Sequence, residues 1–264
     1  MINDIVRVLS AFPLTPFHDD QVDQGAFARL IERLVSSGVD SITELGSTGS
    51  YAYLDADERV RVAQLAVHHS GPTPVVIGVG DLRTSHVLAH VESAGQAGAA
   101  GLLLAPVTCQ ALTADGIAQL PGIASIKIPG VPTDPSEAAE HVAAIRAAIP
   151  EHVTIGVSGD AFGATCLSAG CDAWYSVIAG TLPGPAIAIT RAARAGRATA
   201  ATEESEWLTP LWTLFAEFGS LRVTAAIAEH LGLVRSRSLP LPIQALANDE
   251  RDRAARVVLH LGLA

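Results

Sequence analysis

One pattern dominates the sequence: short β-branched runs, apolar on both faces, alternate with longer amphipathic stretches. The runs are VRVLSAF (6–12), VDSITEL (39–45), PVVIGVG (74–80), AGLLLA (100–105), IASIKI (123–128), VTIGVS (153–158) and DAWYSVI (172–178). Parallel strands with helices outside and packed core inside read this way. The stretches between them predict helices. Phe27, Leu30, Ile31 and Leu34 recur at helical spacing before Gly38. Asp55 with Glu58 three positions on forms a capping-box pattern. Thr84 opens a stretch that ends in glycines, and Pro135 falls in the first turn of PSEAAEHVAAIRAAI. Repeated βα units of this kind imply a parallel barrel or a doubly wound sheet.

After residue 180 the alternation stops. TLPGPAIAITRAARAG, ESEWLTPLWTLFAEF, LRVTAAIAEHLGL and NDERDRAARVVLHLG all read as helices. The first completes a barrel and the rest form an appendage. With no Ser/Gly linker in sight, the division is a (β/α) barrel over 1–198 and a C-terminal helical extension over 199–264. The strand count is seven, whereas a closed barrel of this type has eight. Between the fourth and fifth runs lies one short helical piece, LTADGIAQL, interrupted by Gly116.

Composition narrows the partners. The chain has 264 residues and a net charge of −10. An acidic surface repels nucleic-acid phosphates and anionic membranes, so neither is an expected partner. No window approaches the ~18 unbroken apolar residues of a membrane span. Together with three sparse cysteines, Cys109, Cys166 and Cys171, this points to a reduced cytoplasmic protein. Cys166 and Cys171 lack histidine neighbours at metal spacing and read as buried small hydrophobes.

The chain carries one lysine against sixteen arginines. Lys127 lies in GIASIKIPG, near the C-terminal end of an apolar run, where barrels carry their chemistry. Desolvation there favours the neutral amine, the form that attacks a carbonyl. Arginine cannot replace it, because a guanidinium is never usefully neutral. A lysine ion-paired at a strand end, or reaching out to solvent, would look the same in sequence. The segment ELGSTGSYAYLDADER follows the second run. Gly46 and Gly49 permit a tight turn, and Ser47 and Thr48 present hydroxyls and N–H groups suited to a carboxylate. Many βα turns share this form.

These segments together resemble the dihydrodipicolinate synthase and N-acetylneuraminate lyase family of class I aldolase-type barrels. SAFPLTPF with Val22 and Asp23 is similar to the family's first strand and loop. GSTGSYAYLDADER is similar to its GTTGE…LT..E block, and IASIKIPG to the strand that holds the imine-forming lysine. GCDAWYSVIAG resembles the late segment that closes the pocket, and VRSRSLPLP with a final helix resembles its C-terminus. The resemblance implies a covalent imine between Lys127 and pyruvate or another 2-keto acid, with no metal or organic cofactor. It implies that Ser47 and Thr48 hold the carboxylate, that Thr48 also relays protons, and that Gly159 and the carbonyl of Ile178 line the pocket. It further implies a homo-oligomer, dimer or tetramer.

The departures are as specific. The family's fifth strand ends in a tyrosine, its central acid/base, and nothing here matches it. The join falls near Gly116–Ile117, and about one βα unit, on the order of 30 residues, is absent. Where the family carries another tyrosine past its fourth strand, Cys109 stands. Tyr51, Tyr53 and Tyr175 do not fall at the missing position; Tyr51 is a weak substitute and reads as structural. Seven strands either close a smaller barrel with altered tilt and shear, or leave a gap that a partner chain covers. The functional expectation is a Schiff-base lyase or synthase whose proton transfer is impaired. Its alternative is a catalytically degenerate relative that binds a keto acid or serves in assembly.

Overall fold

Each run that is apolar on both faces becomes a strand. The computed structural model describes residues 9–104 and 123–263. Its main strands are β1 (Leu9–Ala11), β2 (Ser41–Glu44), β3 (Val75–Gly78), β4 (Gly101–Leu103), β5 (Ser125–Ile128), β6 (Thr154–Ser158) and β7 (Ala173–Ser176). All pair in parallel, in the order β4-β3-β2-β1-β7-β6-β5. That order is a circle cut at one place. Each strand adjoins its sequence neighbour, β1 adjoins β7, and only β4 and β5 stand apart. A doubly wound sheet has no such closure of first strand onto last, so the architecture is a (β/α) barrel, to which the described residues contribute seven strands. Among the described residues the circle stays open between β4 and β5. The LTADGIAQL piece, Cys109, Gly116 and the join at Gly116–Ile117 lie outside the described residues.

Helices α1 (Gln24–Ser37), α2 (Ala56–His69), α3 (Thr84–Ala97), α4 (Pro135–Ala148), α5 (Gly163–Ser168) and α6 (Pro183–Arg194) cover the sheet. Their starts follow local chemistry. The Asp23 carboxylate accepts the N–H of Ala26, Asp55 and Glu58 close a full capping box, and Asp134 caps α4 ahead of Pro135. Helix α5 is absent from the sequence reading, because six residues are too few to show a helical period.

The C-terminal region forms α7 (Ala198–Trp207), α8 (Thr209–Phe218), α9 (Ser220–His230) and α10 (Asn248–His260). The segment read as one helix over 204–218 is two. The break falls at Leu208, and Pro210, which has no N–H to give, sits in the first turn of α8. Leu208, Leu211, Leu214, Ile227 and Val258 join the same apolar core as Leu9, Ile42 and Trp174. A second apolar cluster packs Ala225, Ala228 and Val234 against Leu14 and Leu30. The Phe17 N–H also donates to the Ser238 carbonyl at 2.9 Å. These contacts bring α8 and α9 to the wall of a cavity at the C-terminal ends of the strands.

Candidate active site

Lys127 is the third residue of β5, directly opposite Gly156 of β6. The Tyr175 ring fills the space Gly156 leaves: a β-carbon on Gly156 would stand 2.1 Å from Tyr175 Cε2. Tyr175 donates its hydroxyl to Ser125 Oγ at 2.7 Å, which fixes the ring. The Lys127 Nζ lies 4.8 Å from the Phe12 ring centroid and 5.8 Å from that of Tyr175. Phe12 and Tyr175 meet edge to face at 5.9 Å. The lysine thus stands between two rings. Solvent reaches it through the cavity, while protein crowds it on its other sides. That crowding lowers its pKa from the usual 10.5, and the nearby Asp160 charge partly offsets the shift.

Asp160, just past the end of β6, is buried. Its carboxyl accepts the Ser176 hydroxyl at 2.7 Å and the Ile178 N–H at 3.1 Å. Burial pushes its pKa up to about 6, against the opposing pull of those hydrogen bonds and of Lys127. It therefore titrates close to neutral pH.

The glycine turn leaves β2 under tight constraint. Leu45 takes a left-handed backbone, φ 56°. Its carbonyl then runs so close to β3 that a β-carbon on Gly78 would stand 1.9 Å from Leu45 O. Only glycine at position 78 lets the turn depart in this direction. Behind the turn, Glu44 is fully buried, and its Oε2 accepts the Leu45 N–H at 3.2 Å. Burial pushes this carboxyl well above the usual range, which favours its neutral form. A side chain at Gly49 would press on Glu44, and one at Gly46 on the Phe12 ring. Arg59 of α2 clamps the region from outside. Its guanidinium donates to the carbonyls of Gly78 and Gly80, both at 3.2 Å, and stacks over Tyr51 at 5.4 Å.

The cavity has a volume of about 770 Å³. Lys127, Ser47, Thr48 and Gly159 border it together, so residues 80 positions apart share one chamber. Gly46 and Gly49 sit buried within the turn. Ile178 is buried; its carbonyl accepts the N–H groups of Thr181 and Leu182, and Val177 takes the place at the cavity wall. Sequence reasoning misses Asp160, although it names the adjacent Gly159. It misses Glu44 and Phe12, and it sets Tyr175 aside. Cys166 and Cys171 are buried free thiols. Among the described residues no cluster of three or more His, Cys, Asp or Glu has metal-binding geometry.

The family model described as "Dihydrodipicolinate synthetase family" matches residues 5–106 and 105–261. A curated 4-hydroxy-tetrahydrodipicolinate synthase of Salinibacter ruber is 31% identical over 205 residues, 65% of this chain and 68% of that protein. A probable 5-dehydro-4-deoxyglucarate dehydratase of Corynebacterium glutamicum is 37% identical over 110 residues, 41% of this chain and 35% of that protein. The crystal structure of a dihydrodipicolinate synthase from Agrobacterium tumefaciens superposes with a TM-score of 0.91 at 36% identity, over 99% of this chain and 100% of that one. With the lysine on its barrel strand and the model matched along almost the whole chain, this chain belongs to the dihydrodipicolinate synthetase family, class I aldolase-type lyases and synthases that work through a lysine imine with a 2-keto acid and no metal or organic cofactor.

Proposed function

We propose that Lys127 forms the imine, with pyruvate or a longer 2-keto acid, and that Ser47 and Thr48 hold the acid's carboxylate. The observation that carries this reading is the lysine's placement. It is a burial-depressed amine at the C-terminal end of a barrel strand, bordering the same cavity as the two hydroxyls. The amine attacks the C2 carbonyl, and the carbinolamine loses water with a proton from a group that titrates near neutrality, a role we give to Asp160, which borders the cavity. The iminium then draws electrons from C3, and loss of a C3 proton gives the enamine that makes or, in reverse, releases a carbon–carbon bond. Thr48 relays protons at the carboxylate end. Gly46 and Gly49 shape the turn and Gly159 borders the cavity, whereas Ile178 lies behind the wall that Val177 lines.

The test is intact-mass spectrometry after incubation with pyruvate and borohydride, beside Lys127→Ala. A stable adduct on the unmodified chain alone is expected. No adduct with pyruvate or longer keto acids, on folded protein, would leave Lys127 a structural residue. An adduct without turnover of any aldehyde would make the chain a keto-acid-binding protein.

We also propose a homo-oligomer, dimer or tetramer, working in the cytoplasm. Leu102 and Leu104, on and just after β4, and Leu82 and Leu88, before and within α3, are strongly exposed, and a second copy docked on this side would bury apolar surface where β4 is an edge strand among the described residues. No helix among the described residues is long and apolar enough to cross a membrane.

A further inference from the structure

The cavity beyond Lys127 is rich in rings. The chain has twelve aromatic residues (three Trp, three Tyr, six Phe), and eight of them line this one chamber. Phe12 and Tyr175 hold the lysine. The other six are Tyr51, Tyr53, Phe162, Trp212, Phe215 and Phe218. Trp212 and Phe215 stand one turn apart on α8, half-buried, with ring centroids 5.8 Å apart and planes at 56°. The Trp212 Nε1–H donates to the Ser205 carbonyl at 2.9 Å, which pins its ring.

Charge is scarce on the same wall. Apart from Lys127 and Asp160, Arg222 is the charged residue lining the cavity among the described residues. Its Nε donates to the Gln244 carbonyl at 2.8 Å and its Nη2 to the Ala245 carbonyl at 3.3 Å, and it pairs with Glu250 at 3.7 Å. An incoming carboxylate or phosphate would have to compete for a cation already engaged. A polyol would turn most of its hydroxyls toward carbon, which costs unmade hydrogen bonds. A flat apolar ring meets edge and face partners on several sides.

We propose that the second substrate, the partner of the keto acid, is an aromatic aldehyde. The inference rests on the Lys127 imine reading and deepens it. In the forward direction C3 of the Lys127 enamine bonds to the aldehyde carbon. C3 has given up one proton, and the aldehyde oxygen takes one up. Water then hydrolyses the imine, releasing a 4-aryl-4-hydroxy-2-oxobutanoate and the free amine. The reverse cleaves that compound to pyruvate and the aryl aldehyde. Neither direction needs an oxidant or reductant.

The experiment compares kcat/KM for benzaldehyde, glyceraldehyde and succinate semialdehyde with pyruvate, using protein already shown to trap pyruvate on Lys127. Benzaldehyde is expected to lead the other two by roughly 100-fold, the range that one well-matched apolar pocket supplies. Phe215→Ala and Trp212→Ala should each lower the benzaldehyde value by about 10-fold, mainly through KM for the aldehyde, with KM for pyruvate unmoved. Borohydride trapping of pyruvate checks that each variant is folded. Pyruvate trapping with no preference for benzaldehyde, or variants as active as the parent, would overturn this inference and leave the keto-acid reading standing. Failure to trap any keto acid removes both.

Discussion

Because Lys127 is the only lysine, amine-directed chemistry reads its protonation almost without background. Acylation rate at Lys127, followed by peptide mass spectrometry across pH, tracks the neutral amine and should reach half its maximum below pH 10.5. In Asp160→Asn the anion that favours the ammonium is gone, so that midpoint should move further down. An unchanged or rising midpoint would refute the coupling. Asp160 also bears on stability. Its folded pKa, about 6, lies above its usual 3.8, so its stabilising protonated state is fully present below pH 3.8 and is lost as pH rises through 6. The span corresponds to about 3 kcal/mol at most. Denaturant melts of the Asn variant should lack this part of the pH slope. At this scale the sequence was only half legible. The lysine and the glycine turn announce themselves locally. Asp160 and Tyr175 matter through neighbours some 30 to 50 positions away, and no local pattern encodes that proximity.

Among the elements, the strands were the most readable. All seven runs became strands because burial on both faces leaves an unbroken apolar signature. The helix starts at Asp55 and Pro135 were legible for the same local reason. The six-residue α5 shows no period, and the break at Leu208, marked locally by Pro210 alone, is masked by apolar spacing that continues from α7 into α8. The close passage of Leu45 over Gly78 was equally hidden. Gly78→Ala tests it: its β-carbon would meet backbone, which cannot rotate away. We expect a loss of 1–3 kcal/mol or somewhat more, of the order seen for overpacking, together with weaker keto-acid binding because Ser47 and Thr48 follow the displaced turn. Gly95→Ala, which has open space around it within α3, should be neutral or slightly stabilising. Equal thermal midpoints for the two variants would count against the account.

For the whole molecule, behaviour in solution should follow from β4 and β5 standing unpaired with each other among the described residues. Helix α3 buries only Ala94, and Leu88 and Leu102 remain largely exposed. Sedimentation at micromolar concentration should therefore show a dimer or tetramer, and Leu88→Glu with Leu102→Glu should shift it toward monomer. A monomeric parent protein would refute this.

The pairing of β1 has a further consequence, in time. Leu9 lies opposite Trp174, so one side of the first strand has no partner until the seventh has been synthesised. At ordinary rates of translation the N-terminal strand waits roughly 10–30 s with an open hydrogen-bonding edge. Throughout that interval the nascent chain offers a template for pairing with other chains. The completed sheet withdraws it, and the yield of native protein should therefore depend on how closely nascent chains are crowded together.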